Sequence, residues 1–206
     1  MAEDQRRNTG IVFFDDEFFG NPTYNDEHCY ISRSARITGN VVFEDGVIVC
    51  PHVTIRADEG TPFKVCKGTN IQDAVIMHGL LNEFVEDEHG NKFSILIGSH
   101  TTIGHAALVH GPAKIGKKTF IGFKSVVHRS TVGRNCYVGI GAIIEGVDIG
   151  DFRYVRSGMV VDCQTIADSL PMVTDEQKEF NKKVVDKNKN LIKVYQKRRV
   201  NHDHAT

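Results

Sequence analysis

From Ile31 onward an apolar residue returns at every sixth position. The leading residues are Ile31, Ile37, Phe43, Val49 and Ile55, then, after a four-residue insertion (TPFK), Val65, Ile71 and Met77. An acidic stretch from about Leu81 to Ser94, carrying the turn signal His89-Gly90-Asn91, interrupts the pattern. The period resumes through Ile97, Ile103, Val109, Ile115, Ile121 and Val127. It slips by one residue to Val132, Val138 and Ile144, and again to Ile149, Val155 and Val161. Period six with aliphatic leads, often followed by glycine, is the hexapeptide signature of a parallel β-helix. Each hexad is a short strand and a corner. The lead points inward, and the glycine serves a corner of unusual φ/ψ. Three hexads make one triangular coil, and coils stack at the inter-strand distance of about 4.8 Å. No hexad buries its own lead, so stability comes from stacking. A sandwich would instead alternate at period two.

The ends differ from the middle. Residues 1–30 carry no repeat; Phe13, Phe14, Phe18 and Phe19 form two apolar pairs between acidic residues. Two readings stand for them: a cap over the open end of the core, or a hook for a membrane or partner. The β-helix is expected over 31–171, and an amphipathic helix with a loose tail over 172–206. Thr174-Asp175-Glu176-Gln177 reads as a capping box after Pro171. Phe180, Val184, Leu191 and Tyr195 then recur at helical spacing, with Asn188 inside the stripe. A polar side chain there costs free energy unless it finds a partner.

Composition narrows the classes. The 206 residues suit one domain with a core. A net charge of −1 gives no electrostatic case for nucleic acid or an anionic membrane. No window is apolar enough for a membrane span, and the N-terminus lacks a signal-peptide core. The five cysteines are odd in number and never spaced C-x-x-C, which argues against a disulfide framework and a thiolate zinc site and fits a reducing, cytoplasmic setting.

Three histidines stand out against the repeat. If Val65, Ile71 and Met77 form one coil and Ile97, Ile103 and Val109 the next, His78 and His110 each follow their lead by one. Both then point outward, one above the other, at a spacing that lets two imidazoles share a zinc ion. His105 follows Ile103 by two, on the previous face, and cannot easily reach the same point within one chain. It can do so if three prisms pack side by side, so a His₃ site implies a threefold oligomer with two ligands from one subunit and one from its neighbour. His128 also follows its lead by one, so that position alone does not make a ligand.

Four motifs, IRADEG (55–60), NIQDAVIMHG (70–79), IGHAALVHGP (103–112) and IGFKSVV (121–127), together resemble the γ-class carbonic anhydrases. The likeness extends over about residues 30–195. It is marked toward the branch that includes the carbonic-anhydrase-like domain of the carboxysome scaffold. The resemblance implies a left-handed β-helix and a homotrimer with a metal at each interface, held by His78, His105 and His110. It implies reversible hydration of CO2 to bicarbonate by a metal-bound hydroxide, oriented by Gln72, with Glu59 in proton transfer. Arg56, Asp58 and Asp73 would make polar interface contacts, and Asn188 would lie near the site. Arg56 and Asp58 read as glue for the trimer rather than as catalytic groups. Histidine ligands suit Zn²⁺, and also Fe²⁺ or Co²⁺.

Two positions depart from the family. Leu81 stands where the founding enzymes carry a loop Glu that exports protons, and Asp186 where they carry a Tyr. Two rival classes therefore remain: a trimeric scaffold or assembly component with a silent metal site, and a hexapeptide acyltransferase with one histidine as base. The second leaves the three histidines and NIQD unexplained. With no adaptor repeats after Thr206, a full-length carboxysome scaffold is not expected. On the enzyme reading, Leu81→Glu raises CO2 hydration at low buffer concentration. An unchanged buffer dependence in stopped-flow assays would remove loop export as the limiting step.

Overall fold

The computed structural model describes residues 12–14 and 20–203, with side chains over 20–197. The phenylalanine pairs at 13–14 and 18–19 and the tail after 203 lie outside the residues whose side chains are described. The backbone of Val12–Phe14 pairs in parallel with Arg36–Thr38.

The repeat folds as a left-handed parallel β-helix, its strands grouped in parallel sheets of eight, six and seven among the described residues. Each coil passes in turn through the seven-stranded sheet (here the helix face), the eight-stranded sheet (the histidine face) and the six-stranded third face. Every lead residue of the hexad pattern is at most 4% exposed. The residue two before the lead is also buried in all but the last two hexads, and often small: Ala35, Val53, Thr101, Ala107, Thr119, Ser125 and Cys136 among them. Where this position is polar on the helix face, its side chain satisfies a corner carbonyl. The hydroxyls of Thr69, Thr101 and Thr119 donate to the carbonyls of Gly98, Gly116 and Gly133.

The glycines after the leads serve a different purpose from the one expected. Positive φ at the corners flanking the helix face falls largely on other residues, including His52, Ala74, His100, Ala106, Lys118, Lys124 and Asn135. The post-lead glycines are needed because the next coil passes close by. A methyl on Gly122 would press into the Gly139 carbonyl, and one on Gly104 would sit 2.7 Å from the Ile121 carbonyl oxygen.

Both interruptions of the repeat leave from the corner between the histidine face and the third face. The shorter one occupies 58–62, because Phe63 and Lys64 already belong to the strand that pairs with Val41 and Val42. The longer one forms an antiparallel hairpin, Val85–Glu86 with Lys92–Phe93. Its turn is held by Asp87, which accepts from the Asn91 side-chain amide and from the backbone N–H groups of Asn91 and His89. These contacts, the Asn91 amide first, pull the Asp87 carboxyl down to about 2. The loop is tied back to the coils by Glu83, which pairs with Arg129 at 2.8 Å.

A short helix absent from the sequence reading, α1 (Gln164–Ser169), closes the last coil with buried Ala167; Leu170 just after it is buried too. The capping box forms as expected: Gln177 N–H donates to Thr174 Oγ1 and Thr174 N–H to Gln177 Oε1. Helix α2 (Asp175–Asp203) then runs back along the helix face. Phe180 meets Phe120 edge-on near one end, and Gln196 donates to the carbonyls of Asp26 and Cys29 near the other. Its buried stripe is Asn181, Val185 and Ile192, one residue round from the expected Phe180, Val184 and Leu191, which flank it. The shift has a cause: Asn181 is drawn under the helix by a bond to Thr102.

Gly122→Ala should cost about 3 kcal/mol, because rigid backbone from the next coil must move. Gly141→Ala should cost roughly 1 kcal/mol, since nothing lies within 4 Å of its added methyl and only the positive φ is strained. Denaturant titration of both variants tests the ordering; the reverse order would contradict the close-approach explanation.

Candidate metal centre

The stacking register settles which side chains stand together. On the histidine face Arg56, His78, His110, His128 and Glu145 are successive partners in one outward column. His78 Nδ1 and His110 Nε2 lie 3.2 Å apart, with the rings edge to face. His110 Nδ1 is 3.1 Å from the Gly111 carbonyl. Below them, the insertion at 58–62 turns two carboxylates toward His78. Glu59 Oε1 is 3.2 Å and Asp58 Oδ1 3.5 Å from His78 Nε2. Neither contact is a hydrogen bond, and His78 Nε2 and Asp58 Oδ1 are buried polar atoms without a hydrogen-bond partner. The other oxygen of each carboxylate is engaged. Asp58 Oδ2 takes the Arg56 guanidinium at 2.8 Å, and Glu59 Oε2 accepts the Leu81 N–H at 2.9 Å. Arg56, Asp58, Glu59, His78 and His110 thus form one group.

A second group lies at the corner between the helix face and the histidine face. His105 follows Gly104 on that corner with its side chain 52% exposed, and its Nδ1 is 3.1 Å from Asp73 Oδ2. Gln72, the residue before Asp73, is buried against the helix face. Its Nε2 donates to Asn70 Oδ1, while its Oε1 has no hydrogen-bond partner. Asn188 stands half-buried on α2 and donates its Nδ2 to the Val184 carbonyl. Among the described residues, no three or more His, Cys, Asp or Glu side chains are gathered so as to hold a metal within this one chain.

The register also arranges a column that the sequence reading missed. Beside the histidines, one residue before each lead, stand Ile76, Leu108, Val126, Ile143 and Val160. Ile76 and Val160 are each 48% exposed and Ile143 is 37% exposed. The signal was available in the sequence, since every one of these positions is an aliphatic residue on an outward-facing register. Isolated apolar residues on a surface are ordinary; a contiguous column is the mark of an interaction face.

No family model matches the chain. Over 181 residues, 82% of this chain and 73% of the relative, it is 38% identical to the carbonic anhydrase of Methanosarcina thermophila. It is 42% identical over 106 residues to the carboxysome assembly protein CcmM of a Nostoc species, covering 52% of this chain and 19% of that protein. With CcmM of Synechococcus elongatus the identity is 38% over 162 residues, 79% of this chain and 30% of that protein. The chain therefore spans less than a third of the assembly proteins it matches. A hexapeptide transferase family protein from Anaplasma phagocytophilum superposes with a TM-score of 0.69 at 21% identity, over 85% of this chain and 93% of that one. That likeness shows the fold alone.

Proposed function

The chain belongs to the γ-class carbonic anhydrase family, and from that premise we propose that it is a metal-dependent carbonate dehydratase, a lyase that interconverts CO2 and bicarbonate at sites shared between the subunits of a homotrimer. The observation that carries this reading is the in-register pair of His78 and His110, with His78 Nε2 buried, unpartnered and flanked by two carboxylates. The pair fits a metal by its chemistry. Two imidazoles and nearby carboxylates suit Zn²⁺, and also Fe²⁺ or Co²⁺. The contact of His110 Nδ1 with a backbone carbonyl is the kind that fixes the tautomer of a ligating histidine and leaves Nε2 with its lone pair.

Two ligands are one short of a catalytic set, and the exposed His105 of a neighbouring subunit is the third. The apolar column beside His78 and His110 supports that packing, because burying it against a second copy stabilises the trimer on the face that needs the extra ligand. Gln72 travels with His105, so each site joins the Glu59 side of one subunit to the Gln72 side of the next. The ion pair of Arg56 with Asp58, and Asp73 against His105, are the polar contacts at that seam. Asn188 has a supporting role from the helix.

A divalent metal bound there would supply Lewis acidity that lowers the pKa of bound water to about 7. The chain's own groups do the rest. Gln72 Oε1, an acceptor with no partner of its own, holds the proton of the substrate water and so directs the oxygen lone pair at CO2. Glu59 Oε1 takes the proton that must leave, and the Leu81 N–H on Oε2 keeps that carboxylate aimed. The five cysteines are all free thiols, which supports a reducing, cytoplasmic setting.

A silent scaffold is the second reading. Leu81, 61% exposed, offers no proton acceptor at the position where the founding enzymes have one, and the likeness to an assembly protein points the same way. Turnover separates the two. Anaerobically purified protein should hydrate CO2 in stopped-flow assays, and chelator-stripped protein should not. His105→Ala should lose its metal while keeping some trimer; full metal occupancy in that variant would overturn the shared site. Loaded wild-type protein without turnover would leave the scaffold.

A further inference from the structure

Between the helix face and α2 lies a file of four buried polar side chains, Gln72, Asn70, Thr102 and Asn181, none more than 8% exposed. Asn70 and Thr102 are register partners in adjacent coils. In the other coils the same outward column holds Tyr30, Ile48, Phe120, Tyr137 and Tyr154. The polar interruption is therefore confined to the two coils that carry Gln72 and His105. Four polar groups removed from water cost free energy unless each is satisfied, and an apolar pair at 70 and 102 would serve helix docking without that cost.

The bonds in this file have only one consistent sense. At its far end Asn181 Nδ2 reaches the His100 carbonyl at 3.4 Å, and a carbonyl can only accept. Asn181 Oδ1 is thereby turned to Thr102, whose hydroxyl donates to it at 2.7 Å. With its one proton committed, Thr102 Oγ1 can only accept from Asn70, and does so from Nδ2 at 2.9 Å. A second contact of Asn70 Nδ2, with the Thr101 carbonyl at 3.4 Å, enforces the same orientation. Asn70 Oδ1 is then left to accept from Gln72 Nε2 at 3.3 Å. The end of the file is Gln72 Oε1, buried and without a partner. An amide of glutamine can present either a donor or an acceptor, and here the backbone of His100, four side chains away, decides which.

We propose that Thr102 and Asn181 are positioning residues that act through Asn70 to fix the Gln72 amide with its oxygen, rather than its NH₂ group, facing the site. This rests on the role given to Gln72 in the proposed function. Water seeking CO2 must give its proton to an acceptor; a flipped amide would offer a donor to the same atom and turn its lone pair away from carbon. The file thus sets the productive orientation before substrate arrives.

The test is side-chain amide NMR on ¹⁵N-labelled trimer, metal-free and metal-loaded, with the Gln72 pair assigned by its disappearance in Gln72→Glu. The Gln72 Nε2 protons should exchange with solvent about tenfold faster in Thr102→Val than in wild type, and Thr102→Ser should restore the slow rate. Equal exchange in wild type and Thr102→Val would overturn the proposal. Should Thr102→Val fail to fold, Asn181→Leu breaks the file at its other end and is read in the same way. In active protein, Thr102→Val should lower kcat/KM about tenfold and have no further effect in a Gln72→Ala background. An equal loss in both backgrounds would mean that Thr102 acts only on stability, against the proposal. A wild-type protein with no turnover would sink the carbonic anhydrase reading, and the exchange rates would still judge the file.

Discussion

Strands of two to four residues cannot hold themselves together, and what holds these is the parallel, in-register stacking of one coil on the next. That register is fixed from inside. The leads fill the prism, so a slip by one residue would turn them outward and drive their polar neighbours into the core. The same constraint operates on the outer surface. Once Met77 lies under Val109, His78 must lie under His110, and Arg56 and His128 must continue the column on either side. The core thus places His78 beside His110 with no contribution from the histidines themselves, and their short approach is a consequence of packing elsewhere.

Stacking also decides what the chain lacks. A residue at the corner after the helix face and a residue on the histidine face diverge around the prism, so His105 and the His78–His110 pair belong to separate groups in one subunit. Each group is equipped in a complementary way: one with carboxylates that can move a proton, the other with an amide that can direct a lone pair. The apolar column on the histidine face connects the two groups, because the surface that exposes hydrophobic area is also the surface that carries the His78–His110 pair.

Much of this was legible in the sequence because the hexad rule converts position directly into direction. The slips at 132 and 149 fall at corners, and the interruption at 81–94 leaves from a corner as a hairpin, so none of them breaks a strand. The capping box at Thr174–Gln177 was legible for the same local reason. What was not legible depends on neighbouring coils or elements. A glycine after a lead looks like a turn residue until the carbonyl of the next coil is seen against it. The α2 stripe was read from apolar residues alone, which cannot show that Asn181 is the buried one, because its reason for burial is Thr102, far away in sequence. Nothing in the sequence around Asn70 marks it out, and only its register partners reveal that it interrupts an otherwise apolar and aromatic column.

The central claim is that each metal site is built from two subunits, and mixed trimers test it most directly. His78→Ala and His105→Ala subunits, each expected to lose metal as a homotrimer, are to be dissociated, combined and reassembled. If the site is shared as described, every mixed trimer contains one interface where an intact His78–His110 pair meets an intact His105, and metal binding should return at one ion per mixed trimer. If mixing restores no metal, the three histidines do not meet across subunits, and the account of the site is wrong.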